Sequence, residues 1–158
     1  MKLFRKAADK KRIQVLRTIS LFRELTDNEL LEVDGLLHER VYQKEEIIFD
    51  EGDLGLGLFI VVSGRVKAIP SQELFKAAVL ECGPGDFFGE LSLFDDSPRT
   101  AQTVALEETR VVALFRNEFF ALLQKNKNIG VKILFELCRT VSRRARQLLT
   151  GESHRPCL

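Results

Sequence analysis

Long apolar runs are missing from this 158-residue chain. No stretch approaches the ~20 apolar residues that a membrane span needs, and the N-terminus lacks the apolar core of a secretory signal. A soluble, cytoplasmic protein is the expectation. Cysteine is also scarce. Cys82, Cys138 and Cys157 are odd in number, widely separated and in no metal-ligand spacing, which reads as unpaired intracellular thiols rather than a disulfide framework. The two histidines, His38 and His154, have no companion cluster, so no metal is expected. Paired carboxylates in a catalytic setting and an activated serine or cysteine are absent as well, which argues against an enzyme.

What is present is enough for one core. At 45% hydrophobic and 30% charged residues, a chain of this length buries one good core and not two. Its net charge of +1 conceals an uneven distribution. Residues 1–17 carry seven Lys/Arg against Asp9, and residues 139–158 carry five Arg against Glu152, leaving an acidic middle. Basic ends of this kind suit an acidic partner or a membrane surface, or simply solvated helix faces attracted to the acidic body.

The periodicity predicts helix, then strands, then helix. Residues 10–19 and 27–37 read as helices, the second opening with a capping box at Thr26-Asp27-Asn28-Glu29. Short strands are predicted at Arg40–Tyr42, Ile47–Phe49, Leu58–Val62, Arg65–Ile69, Ala77–Leu80, Ala101–Ala105 and Arg110–Phe115. Glycine-bearing turns separate them, notably Ser63-Gly64 and Cys82-Gly83-Pro84-Gly85-Asp86. Helix returns after Asn117, read as an N-cap, over 118–123 and again over 128–149. In the last helix Val131, Leu134, Phe135, Cys138, Val141, Ala145 and Leu148 recur at three-to-four spacing, an apolar stripe that must cover the strands or pair with a second copy. The predicted fold class is mainly β with flanking helices: a double-stranded β-roll, or jelly roll, with N-terminal helices and a long C-terminal helix.

The segment that carries chemistry is Phe88-Gly89-Glu90-Leu91-Ser92-Leu93, followed by Pro98-Arg99-Thr100-Ala101. A short helical turn starting at Gly89 would aim backbone N–H groups at an anion, and Arg99 would close on it with its planar fork of donors. Glu90 supplies an acceptor suited to a sugar hydroxyl and repelled by phosphate. A phosphate beside a free hydroxyl describes a cyclic nucleotide.

These residues resemble the phosphate-binding cassette of the cyclic nucleotide-binding domain family: Phe-Gly-Glu, a small residue and aliphatics, a loop, then Pro-Arg, a small or hydroxylated residue and Ala. The likeness implies binding of cAMP or cGMP by Phe88, Gly89, Glu90, Leu91, Ser92, Arg99, Thr100 and Ala101, with no other cofactor. Arg99 would hold the phosphate, and Glu90 would accept the ribose 2′-hydroxyl. The amides of Glu90 and Leu91 and the Thr100 hydroxyl would complete the nest. Leu148 and Leu149 fall at the expected lid position over the base, with Arg139, Thr140 and Arg143 as further base contacts. Three positions depart from the family pattern. Lys44-Glu45-Glu46 stands where Lys-Gly-Glu is usual, Leu56 replaces a polar residue, and Thr103 replaces an aliphatic.

On this resemblance, residues 1–15 form a basic extension, 16–150 the cyclic nucleotide-binding domain, and 151–158 a tail. The expected function is a stand-alone regulatory module whose terminal helix moves on binding and alters a dimer or partner surface. A homodimer through the last helix and a protein effector are the implied partners. Nucleic acid is not, because the chain ends at Leu158 without a further reading helix. The alternative is an interaction scaffold of the same fold whose pocket is inactive or differently filled.

Overall fold

A computed structural model describes residues 12–71 and 79–150. The basic extension up to residue 11, the tail from residue 151 and part of the predicted Ala77–Leu80 strand lie outside them.

Among the described residues, α1 covers residues 12–17. A 3-10 turn at Ser20–Phe22 follows and buries Leu21 and Phe22. Helix α2 (Asp27–Asp34) opens with the predicted capping box. Glu29 Oε2 accepts the Thr26 N–H at 2.8 Å, and the Thr26 hydroxyl accepts the Glu29 N–H. The helix does not run to residue 37. It stops at Gly35, and Leu37 opens β1 (Leu37–Tyr42), which pairs over six residues with β8 (Thr109–Phe115). A glycine is a poor continuation for a helix, and the β8 ladder claims the residues beyond it. Leu37 is buried, and its apolar character suits a helix face and a buried strand alike.

The remaining strands are β2 (Ile47–Phe49), β3 (Gly57–Ser63), β4 (Val66–Ile69), β5 (Leu80–Cys82), β6 (Phe87–Phe88) and β7 (Gln102–Ala105). They form two antiparallel sheets, ordered β1-β8-β3-β6 and β2-β7-β4-β5. This is the expected β-roll with flanking helices. Two details differ from expectation. Strand β5 lies later, ending at a buried Cys82 that pairs with Val66. Strand β6 was not anticipated, because two residues are too few for a period to show.

The first sheet lies between two cores. Leu58 and Ile60 of β3, Phe87 of β6, and Val112 and Leu114 of β8 face the helices, where they join Leu16, Phe22, Leu30, Val33, Phe119, Ile129, Ile133 and Leu137. The alternate residues Val61, Phe88 and Val111 face the second sheet with Val66 and Cys82, and Phe49 and Phe59 pack beside them. Period-two alternation sends successive side chains to opposite faces, so a strand covered on both sides reads as a continuous apolar run. Each such side chain taken from water contributes roughly 1.5–3 kcal/mol.

Two helices close the chain, α4 (Arg116–Lys125) and α5 (Lys127–Thr150). The N-cap of α4 is Phe115, without a side-chain cap, and not Asn117. Strand β8 runs through Phe115 and passes directly into the helix, so no turn residue is needed at the boundary. Asn126 separates the two helices. Its side-chain oxygen accepts the Ile129 N–H at 3.4 Å, and its amide donates to Glu32 at 3.2 Å.

Candidate functional site

Beyond Phe88 the chain turns through Gly89 at φ +76°. A Cβ there would lie 2.5 Å from Arg99 Nη1, so both backbone conformation and close approach require glycine. The expectation of a helical turn starting at Gly89 is corrected by this conformation, because a left-handed residue does not open a right-handed helix. Helix α3 (Ser92–Asp95) follows, preceded by a bond from the Leu93 N–H to the Glu90 carbonyl at 3.0 Å. The amides of Glu90 and Leu91 sit at its open end.

Arg99 reaches this turn from the other side of the cassette. Its backbone is stitched to the β2–β3 loop: its N–H donates to Asp53 O at 2.8 Å, and its carbonyl accepts the Gly52 N–H at 2.9 Å. The side chain is 5% exposed. Nη1 donates to Gly89 O and Nη2 to Gly57 O, each at 2.7 Å, and the guanidinium lies 4.2 Å from the Phe49 ring centroid. Nε is buried without a hydrogen-bond partner among the described residues. Desolvation pulls the Arg99 pKa below its ordinary value, against the opposing influence of Glu90 and Asp53. An arginine stays charged under such a shift. The result is a fixed cation with donors to spare, facing the turn.

Glu90, also buried, does not face solvent. Arg144 of α5 donates through Nη1 to Glu90 Oε1 at 2.7 Å and through Nη2 to Phe87 O at 2.6 Å. Its guanidinium lies 5.2 Å from the Phe87 ring centroid. This residue was missed in the sequence, where it is one of several arginines on an amphipathic helix. No sequence signal separates it from Arg139, Arg143 and Arg146.

The other expected site residues fall as follows. Phe88 is buried in the roll, with ring centroids 5.5 Å from Phe59 and 5.8 Å from Phe49. Ser92 is buried and donates to Pro98 O at 3.4 Å, joining the two arms of the cassette. Leu91 and Thr100 are exposed, and Ala101 is half-buried. Leu148 and Leu149 are exposed on α5, so the residue that helix brings to the cassette is Arg144. Among the departures, Leu56 is exposed on a loop rim, and Thr103 is buried on β7. Glu45 takes a left-handed φ of 69°.

This cassette on a β-roll has a counterpart among known families. The family model described as "Cyclic nucleotide-binding domain" matches residues 39–126. The chain belongs to the cyclic nucleotide-binding domain family. Similar to it are the "Cyclic AMP receptor protein" of Thermus thermophilus, 38% identical over 66% of this chain and 49% of that protein, and the "cAMP-dependent protein kinase regulatory subunit" of Hypocrea atroviridis, 31% identical over 74% of this chain and 26% of that one. The chain thus spans half or less of these two relatives. The crystal structure of the Thermus thermophilus catabolite activator protein superposes with a TM-score of 0.71 at 31% identity, over 84% of this chain and 61% of that one. Within this cyclic nucleotide-binding domain, no described helix is long and apolar enough to cross a membrane.

Proposed function

We propose that this domain is a cytoplasmic receptor module for cAMP or cGMP, without catalytic activity of its own, spanning residues 16–150. The observation that carries the reading is the convergence of Arg99 and Glu90 on the left-handed Gly89 turn. A buried guanidinium with uncommitted donors suits a phosphate, and a carboxylate beside it suits a ribose hydroxyl. Phe88, Gly89, Leu91, Ser92, Thr100 and Ala101 shape the phosphate nest. Names of the relatives, one a cyclic AMP receptor protein and the other the regulatory subunit of a cAMP-dependent protein kinase, support the same reading.

Signal output would pass through α5. Its outer face exposes Val131 and Phe135, with exposed Cys138 one turn on and Leu148 and Leu149 near the end. Pairing of this stripe with a second copy gives a homodimer whose geometry follows the helix, and a protein effector would read the same surface. Light scattering should give twice the 18.0 kDa chain mass, whereas a monomer at all concentrations would remove the dimer.

Calorimetric titration of cAMP and cGMP into the wild type and Arg99→Ala tests the reading. Micromolar or tighter binding is expected, weakened about a hundredfold or more by the substitution, as befits loss of a desolvated charge-assisted contact. No heat with either nucleotide would instead favour a scaffold of the same fold whose cassette is closed by Arg144.

A further inference from the structure

We infer that the Thr103 hydroxyl, buried inside the roll without a partner among the described residues, is held for a hydrogen bond with the bound nucleotide. The inference deepens the proposed reading of the cassette and rests on it. It adds a contact from strand β7, beyond the last cassette residue.

Buried polar side chains are ordinarily paired, because a group taken from water without a partner forfeits the hydrogen bonds it made there. The other buried hydroxyls among the described residues obey this. Ser92 donates to Pro98 O, Thr109 donates to Glu107 O and accepts the Arg65 N–H, and Thr140 accepts from Arg143. Thr103 is as deeply buried, at 1% exposed, yet no hydrogen bond among the described residues involves its hydroxyl. Packing alone would be served by valine, which has the same branched shape and no polar atom.

Strand register fixes which way the side chain faces. Thr103 pairs across β2 with Phe49 and across β4 with Ala68, and two residues on, Ala105 pairs with Val66. Cross-strand partners share a face, and so do residues two apart. Val66 belongs to the core between the sheets, and Phe49 packs against it, so Thr103 faces the inside of the roll. The Arg99 guanidinium lies 4.2 Å from the Phe49 ring centroid. Thr103 therefore stands next to the ring on which the phosphate-binding arginine rests. A hydroxyl both donates and accepts, so it can meet an oxygen or ring nitrogen of the nucleotide as readily as an N–H of its base. The empty site gives up stability that the filled site recovers as a contact.

The test uses the full chain as wild type, Thr103→Val, Thr103→Ser and Thr109→Val. Thermal unfolding and hydrogen exchange are measured without nucleotide, and cyclic AMP and cyclic GMP are titrated by calorimetry. Thr103→Val should bind about tenfold more weakly while melting about 2–4 °C higher, with hydrogen exchange over β7 no faster than in wild type. Weaker binding together with greater stability is a pair of signs that a structural hydroxyl does not give. Thr103→Ser keeps the hydroxyl and should bind within about threefold of wild type. Thr109→Val, which strips a hydroxyl of its partners in Arg65 and Glu107, should melt lower and bind as wild type does. A loss shared by both nucleotides assigns the contact to their common cyclic ribose-phosphate, and a loss for one alone assigns it to the base and makes Thr103 a selector between them. Unchanged binding in Thr103→Val, or a lower melting temperature, overturns the inference and leaves the reading of the cassette, tested through Arg99→Ala, standing. Failure of the wild type to bind either nucleotide overturns both.

Discussion

The two halves of α5 belong to one uninterrupted helix, yet they are attached to the molecule in different ways. The first half buries Ile129, Ile133 and Leu137 in the same core as α2 and the lead-in turn. Lys132 adds a bond to Glu29 at 2.7 Å. The second half has no buried residue past Thr140 and is fastened by the polar contacts of Arg144. Apolar burial holds wherever its surface is covered and has no partner to exchange. A charged pair can be exchanged for another ligand of the same group. The contrast places a segment held by buried apolar side chains beside one held by polar contacts within one helix.

The strongest way to break this comparison is to damage the fixed half. Ile133→Ala is expected to cost about 2–5 kcal/mol by denaturant unfolding, through lost burial and the cavity left behind. Local opening confined to the second half of α5, with the midpoint unchanged, would contradict the assignment.

The surface on which the second half lands is next. Gly89→Ala should cost about 1–3 kcal/mol, since φ is +76° and the added Cβ meets Arg99 Nη1. It should also displace Arg99 and weaken nucleotide binding. A variant as stable as the wild type would show that the turn relaxes freely.

Lys132→Met sharpens the comparison through pH. Lys132, with the Thr26 backbone N–H, holds the Glu29 carboxyl below its ordinary pKa. A depressed carboxylate stabilises the fold above its unfolded pKa, and the contribution is lost as pH falls through the folded value. The variant should be about 1 kcal/mol less stable at neutral pH, with the gap to wild type closing below the usual carboxylate range. A gap constant with pH would mean that the lysine acts through packing alone.

The smallest effect is a control away from α5. Glu45 adopts φ 69°, where a side chain is strained and glycine is not. Glu45→Gly should stabilise by about 0.5 kcal/mol, once glycine's larger entropy loss is set against the relieved strain. Exchange in both halves of α5 should be unchanged. A loss of stability would show that Glu45 makes a contact worth more than its strain.

Much of the architecture was legible because it is local. Thr26 and Glu29 sit three apart and cap α2 through contacts that spacing alone predicts. Strands β3 and β8 announce themselves by apolar runs. The α2 boundary was misplaced because Leu36 and Leu37 satisfy an apolar helix face and a buried strand equally well. Asn117 was a plausible cap, but helix α4 continues directly from a strand and uses none. Strand β6 is held by its pairing of Phe87 and Phe88 with Ile60 and Phe59, a partner that no local period reveals.

The chain by itself determined the β-roll with its helices and the cassette that places Arg99 and Glu90 on either side of Gly89, because glycine conformation, burial period and residue chemistry act over a few positions. Only the tertiary structure decided what those groups touch. It buried Arg99 against Gly57 and Phe49, and it carried Arg144 across 54 positions of sequence to Glu90. Such contacts depend on where a helix lands after the core has formed, and the alternation of polar and apolar residues along α5 carries no record of which arginine will face the cassette.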